Sequence, residues 1–82
     1  MELEKFIENL FSQFEETEFS TFHTDTEFKE LEEWSSLVAL SVIAMVDEEY
    51  DVSIKGDEIL NSTTIEDLYN IVKSKINANS AG

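Results

Sequence analysis

No proline occurs anywhere in the 82 residues, and glycine occurs only at Gly56 and Gly82. A chain so poor in turn-forming residues has few places to reverse sharply, so hairpins are disfavoured and helices joined by polar loops are expected. Its length allows one domain with a small core. Cysteine is absent. That excludes disulfides and thiolate metal sites, and leaves the chain without a thiol of its own.

Four helical segments can be drawn. The first covers about Glu2 to Phe14, where Leu3, Phe6, Ile7, Leu10, Phe11 and Phe14 form one apolar stripe. A segment of about twenty residues follows, Glu15 to Ser35, with eight acids and no clean period. Phe19, Phe22, Phe28 and Leu31 give it apolar anchors, so an ordered loop pinned to the core is expected, with a helical turn near Glu27 to Leu31. His23, the single histidine, lies there without a partner at ligand or catalytic spacing.

The second helix is expected over Ser36 to Tyr50. Leu37, Leu40, Ile43, Val46 and Tyr50 read as its buried face, and Val38, Val42 and Met45 widen the apolar surface beyond a single stripe. Such a helix is either central or touches a partner on its second side. A short turn of helix is expected over Asp57 to Asn61. The last helix begins at Thr63-Thr64-Ile65-Glu66, where Thr63 and Glu66 have capping-box spacing. Ile65, Leu68, Ile71, Val72 and Ile76 form its stripe, with Lys73 and Lys75 placed near the carboxyl end. Residues 1–76 read as the domain and 77–82 as a flexible tail.

Nineteen acidic residues against five lysines give a formal charge of -14. Such a surface repels nucleic acid and attracts basic protein patches. The longest apolar run, Leu37 to Val46, is too short to span a bilayer, and Glu2 and Glu4 stand where a secretory signal is basic. A cytoplasmic monomer without membrane insertion is the expectation. No nucleophile–base pair, metal cluster or glycine-rich phosphate loop can be assembled, so the chain does not read as an enzyme. The nearest match to a calcium loop starts at Asp51. It has Lys55 at the fifth position and Ser62 at the twelfth, where a bidentate carboxylate is needed. An acidic adaptor acting through surface charge alone is the alternative class.

Trp34-Ser35-Ser36-Leu37 joins the acidic loop to the apolar helix. A serine at a helix start can cap it, worth on the order of 1 kcal/mol. It can also carry a phosphate ester where unpaired amides and the dipole favour an anion. Two adjacent serines allow one to cap while the other is modified.

From Leu31 to Ile71 the chain resembles an acyl carrier protein. Ser35-Ser36-Leu37 stands where that family has Asp-Ser-Leu. Val46 to Val52, Ile54 and Thr63-Thr64-Ile65-Glu66-Asp67-Leu68 follow the family's later pattern. The resemblance implies an all-α, four-helix acyl-carrier-like bundle with a long first loop and a short third helix. It implies that a separate phosphopantetheinyl transferase attaches 4'-phosphopantetheine from coenzyme A to Ser36. The arm's thiol would hold acyl or aminoacyl groups for acyl-transferring, condensing or acyl-activating enzymes of fatty-acid, lipid or specialised-metabolite synthesis. Trp34 before the signature resembles a Trp-Asp-Ser-Leu subgroup that includes D-alanine carriers and carriers of specialised pathways.

The chain departs from the family in two places. Ser35 replaces the aspartate, and Val38 and Ser41 occupy early turns of the second helix that often carry acids. Docking is therefore expected through Ser35, Leu37, Val38, Ser41 and Met45 near Ser36, and through Asp47 and Glu48 farther along. The family's acyl cavity would be lined here by Leu40, Ile43, Val46, Ile54, Ile59, Ile65 and Leu68, placed on inward faces.

Overall fold

The computed structural model describes the backbone of residues 2–81 and the side chains of residues 2–78. It contains α1 (Leu3–Phe11), α2 (Ser36–Tyr50), α3 (Gly56–Leu60) and α4 (Ile65–Ala81), with no strand among the described residues. The architecture is the all-helical, four-helix bundle with a long first loop and a short third helix. α1 packs on α2 and α4, and α3 bridges α2 and α4.

α1 stops at Phe11 instead of continuing to Phe14. The Ser12 hydroxyl donates to the Asn9 carbonyl at 2.7 Å, and the next amides tighten onto Leu10 and Phe11 carbonyls at 3.0 and 2.9 Å. Phe14 is buried all the same, together with Phe6 and Leu10. The first loop is ordered as expected, through two short 3-10 turns, Phe19–Thr21 and Phe28–Glu30. Phe22 and Phe28 enter the core, whereas Phe19 remains 49% exposed. Edge-on ring contacts run from Phe11 to Phe22 and from Phe22 to Phe14 at 5.5 and 5.0 Å. Phe14 then stacks on Trp34, which meets Phe28 at 5.2 Å.

The loop also closes the start of α4. The amides of Ile65 and Glu66 donate to the Thr26 and Thr24 carbonyls at 3.1 and 2.9 Å, satisfying donors that a helix start leaves open. The side-chain cap lies one residue beyond the expected box. Asp67 accepts from the Thr63 and Thr64 amides, each at 3.0 Å, and its own amide donates to the Thr64 hydroxyl at 3.2 Å. Thr63 with Glu66 and Thr64 with Asp67 have the same spacing. The second register wins because the loop takes the Glu66 amide, which Thr63 would otherwise cap. These amides hold the Asp67 carboxyl below its ordinary value. α4 continues to Ala81, through most of the residues read as a tail, because neither glycine nor proline interrupts it; Gly82 lies outside the described residues. Lys75 is consequently not in the last turn. It pairs with Glu58 of α3 at 3.0 Å.

The buried face of α2 differs from the expected one. Val42, Met45 and Val46 are in the core and Val38 packs against it, while Leu37 and Leu40 are 76% and 62% exposed. Each step of three residues falls about 60° short of a full turn. The series Leu37, Leu40, Ile43, Val46 therefore winds from the outer side of α2 to the inner side. Because both sides are apolar, periodicity could not choose between them. At the far end, Asn9 donates to the Tyr50 hydroxyl at 2.9 Å, tying α1 to α2, and burial raises the Tyr50 pKa.

Denaturant unfolding of two variants checks this orientation. Met45→Ala should cost about 2–5 kcal/mol, as core truncations do, and Leu37→Ala should change stability by less than about 0.5 kcal/mol. Equal costs would mean that the helix is rotated.

Candidate functional site

Three consecutive residues are committed to structure immediately before Ser36. The Glu33 carboxylate gathers the backbone amides of Glu15, Glu16 and Thr17, the latter two at 3.0 and 2.9 Å, and accepts from the Thr17 hydroxyl at 2.8 Å. These donors, led by the Glu15 amide, pull its pKa from 4.5 down to about 2. Trp34 fills the gap between Phe14 and Phe28, and its amide donates to the Leu31 carbonyl at 3.0 Å. Ser35, in extended conformation, is the N-cap of α2. Its hydroxyl accepts from the Val38 amide at 3.3 Å, and its carbonyl accepts from the Ala39 amide at 2.9 Å.

Ser36, the first residue of α2, is exposed. Its hydroxyl enters no hydrogen bond among the described residues, and the amides of Ser36 and Leu37 also have no acceptor there. A phosphate ester at this hydroxyl would lie beside open amides at the positive end of a fifteen-residue helix, without costing the helix its cap.

An open groove of about 550 Å³ adjoins Ser36. Trp34, Ala39, Leu40 and Ile43 form one side, and Gly56, Ile59 and Leu60 of α3 form the other. Leu60, like Leu37 and Leu40, is largely exposed, at 71%. A β-carbon at Gly56 would meet nothing within 4 Å, so the groove does not depend on that glycine.

Of the residues expected to line a cavity, the groove brings together Leu40, Ile43 and Ile59. Val46, Ile54, Ile65 and Leu68 are buried in the core and do not line it. The placement of Leu40 on an inward face is corrected by its exposure, which follows from the winding of the three-residue series. Trp34, Ala39 and Leu60 also line the groove and were not singled out as lining. Leu60 carried a usable signal, an apolar side chain ending a helix too short to bury two faces. Among the expected docking residues, Ser35, Leu37, Ser41, Asp47 and Glu48 are exposed and Val38 is half-buried against the core. Met45 is corrected to a core residue at 5% exposure, because the inner side of α2 faces the core that α1 helps to close. His23 is exposed, and its amide donates to the Thr26 hydroxyl at 2.9 Å. The stretch with calcium-loop spacing is mostly spent on α3 and its cap. Ser62 is buried and donates to the Glu58 carbonyl at 2.9 Å.

The sequence profile described as the phosphopantetheine attachment site matches residues 5–72, running from within α1 to about the middle of α4. The chain belongs to that family. It is a carrier domain, and the group such a domain bears is covalently attached 4'-phosphopantetheine. The residues around the start of α2 fit that group: an unengaged hydroxyl, open amides for the phosphate and an apolar groove beside them. A carrier domain works with a phosphopantetheinyl transferase and with acyl-handling enzymes. Searches of curated proteins and of solved structures returned no match. Among the described residues, no helix of the carrier is long and apolar enough to cross a membrane.

The Glu33 clasp has a pH signature. A carboxylate whose folded pKa is depressed contributes stability above its unfolded value and loses it as pH falls toward the folded one. For Glu33 that window runs from 4.5 down to about 2. Urea midpoints should show Glu33→Gln less stable at neutral pH, with the gap to the parent protein closing across this window. A gap that stays constant would remove the clasp.

Proposed function

We propose that Ser36 is the attachment point, and that the protein carries acyl or aminoacyl groups as thioesters on a 4'-phosphopantetheine arm esterified to its hydroxyl. When attached, the arm supplies the thiol that this cysteine-free chain lacks. The observation that carries the reading is the division of labour between two serines: Ser35 holds the cap, and Ser36 stands exposed and unengaged beside it.

The chain's own residues have carrying and presenting roles. Open amides at the start of α2 favour the phosphate, and Trp34, Leu40 and Leu60 give the arm an apolar surface at its base. The domain itself is non-catalytic, and it delivers cargo to acyl-transferring, condensing or acyl-activating enzymes of fatty-acid, lipid or specialised-metabolite synthesis. It works as a cytoplasmic monomer. Its docking face has two zones. From Trp34 to Val46 the sequence contains no charged residue, so exposed Leu37 and neighbouring Val38 and Ser41 make a neutral, largely apolar contact near the arm. Asp47 and Glu48 add charge about three turns along α2, where a basic partner patch would meet them.

Incubation with coenzyme A and a broad-specificity phosphopantetheinyl transferase, followed by intact-mass measurement, tests the assignment. The parent protein and Ser35→Ala should each gain one arm, and Ser36→Ala should gain none. Ser35→Asp should be loaded faster, because it restores the carboxylate beside the acceptor while keeping a capping oxygen. Loading of Ser36→Ala would defeat the proposal.

A further inference from the structure

A second cleft, of about 410 Å³, shares no lining residue with the Ser36 groove. It lies between α1 and the first 3-10 turn and is lined by Glu4, Ile7, Glu8, Phe19 and Phe22. Phe22 is buried, and Ile7 packs half-buried against the core. Phe19 stands 49% exposed, edge-on to Phe11 at 5.1 Å. The turn that presents it is closed by the Thr21 and Phe22 amides on the Glu18 and Phe19 carbonyls, at 3.0 and 2.9 Å. The rim is acidic. Glu4 and Glu8 are exposed, one helical turn apart, and neither has an ion pair among the described residues; like charges at that spacing repel. Lys5 borders a different cleft, with Glu49 and Asp51.

We infer that this cleft is a docking site for a partner protein segment that places an apolar side chain against Phe19 and Ile7 and flanks it with lysine or arginine. Charge complementarity selects that occupant. Cations beside Glu4 and Glu8 relieve their mutual repulsion, and the apolar walls reward a side chain that Lys alone does not supply. A second copy of this chain, at -14 with five lysines, is repelled. Nucleic acid is repelled for the same reason. The two clefts have no lining residue in common, so a segment seated here touches none of the walls of the Ser36 groove through this cleft. The surface can therefore hold the protein in place while Ser36 serves other enzymes, and it does so whether or not Ser36 is modified.

The test is amide chemical-shift mapping on the full chain with an amphipathic helical peptide of leucine and lysine, and a leucine–glutamate peptide of the same pattern as control. Shifts from the lysine peptide should centre on Ile7, Glu8, Phe19 and Phe22, and the control should give none. Phe19→Ser should weaken binding about tenfold, the effect of withdrawing much of one aromatic side chain from the contact. The charge reversal Glu4→Lys with Glu8→Lys lies at exposed positions and decides the matter if Phe19→Ser does not fold; it should abolish the shifts at the cleft. Shifts centred on Leu37, Leu40 and Leu60, shifts spread evenly over the acidic surface, or unchanged affinity in the folded variants would overturn the inference.

Discussion

The position at which α2 begins is fixed by three consecutive side chains, each by different physics. Glu33 gathers amides from the far end of the first loop, Trp34 wedges between two phenylalanines, and Ser35 closes the open end of the helix. The clasp is electrostatic, the wedge is apolar burial, and the cap is a hydrogen bond. Together they leave the next residue with no structural duty. The availability of Ser36 therefore follows from how completely its three predecessors are engaged.

The two-sided apolar character of α2 has a similar explanation. One side, through Val42, Met45 and Val46, closes the core against the rest of the bundle. The other side, through Leu40 and Ile43, forms a wall of the groove beside Ser36, with Leu37 standing free at its start. Most of the protein's negative charge lies elsewhere, in the first loop, along α1 and at the end of α2, with Asp57 and Glu58 on α3 and Glu66 and Asp67 on α4. On the proposed function, long-range attraction brings a basic partner toward the domain, and apolar contact near the arm completes the seating. Charge and apolar surface thus act at different distances, consistent with the screening of exposed charges beyond about 8–10 Å in salt.

Much of this was readable from residues alone. The lack of proline and the apolar spacings gave four helices and an ordered loop, and the Ser35-Ser36-Leu37 context marked the helix start at which attachment is proposed. The outward face of α2 was not readable, because a helix apolar all round gives periodicity nothing to choose between. Nor was the Glu33 clasp, since a carboxylate that collects amides from residues 15–17 looks, in sequence, like any other acid in a run of acids. The α4 cap slipped by one residue because Thr63 and Thr64 offer identical chemistry, and only the loop carbonyls of Thr24 and Thr26 settle the register. These three misses involve a contact between segments distant in sequence or a choice between equivalent faces or neighbours.

The division of labour between the adjacent serines is tested most directly by locating the arm in the unaltered protein. Fragment-ion sequencing of the peptide spanning residues 34–40, taken from loaded protein, distinguishes the two hydroxyls without any substitution. The phosphopantetheine mass should reside wholly on Ser36. Its presence on Ser35 would mean that the capping hydroxyl is the reactive one, and would contradict the roles given to both residues.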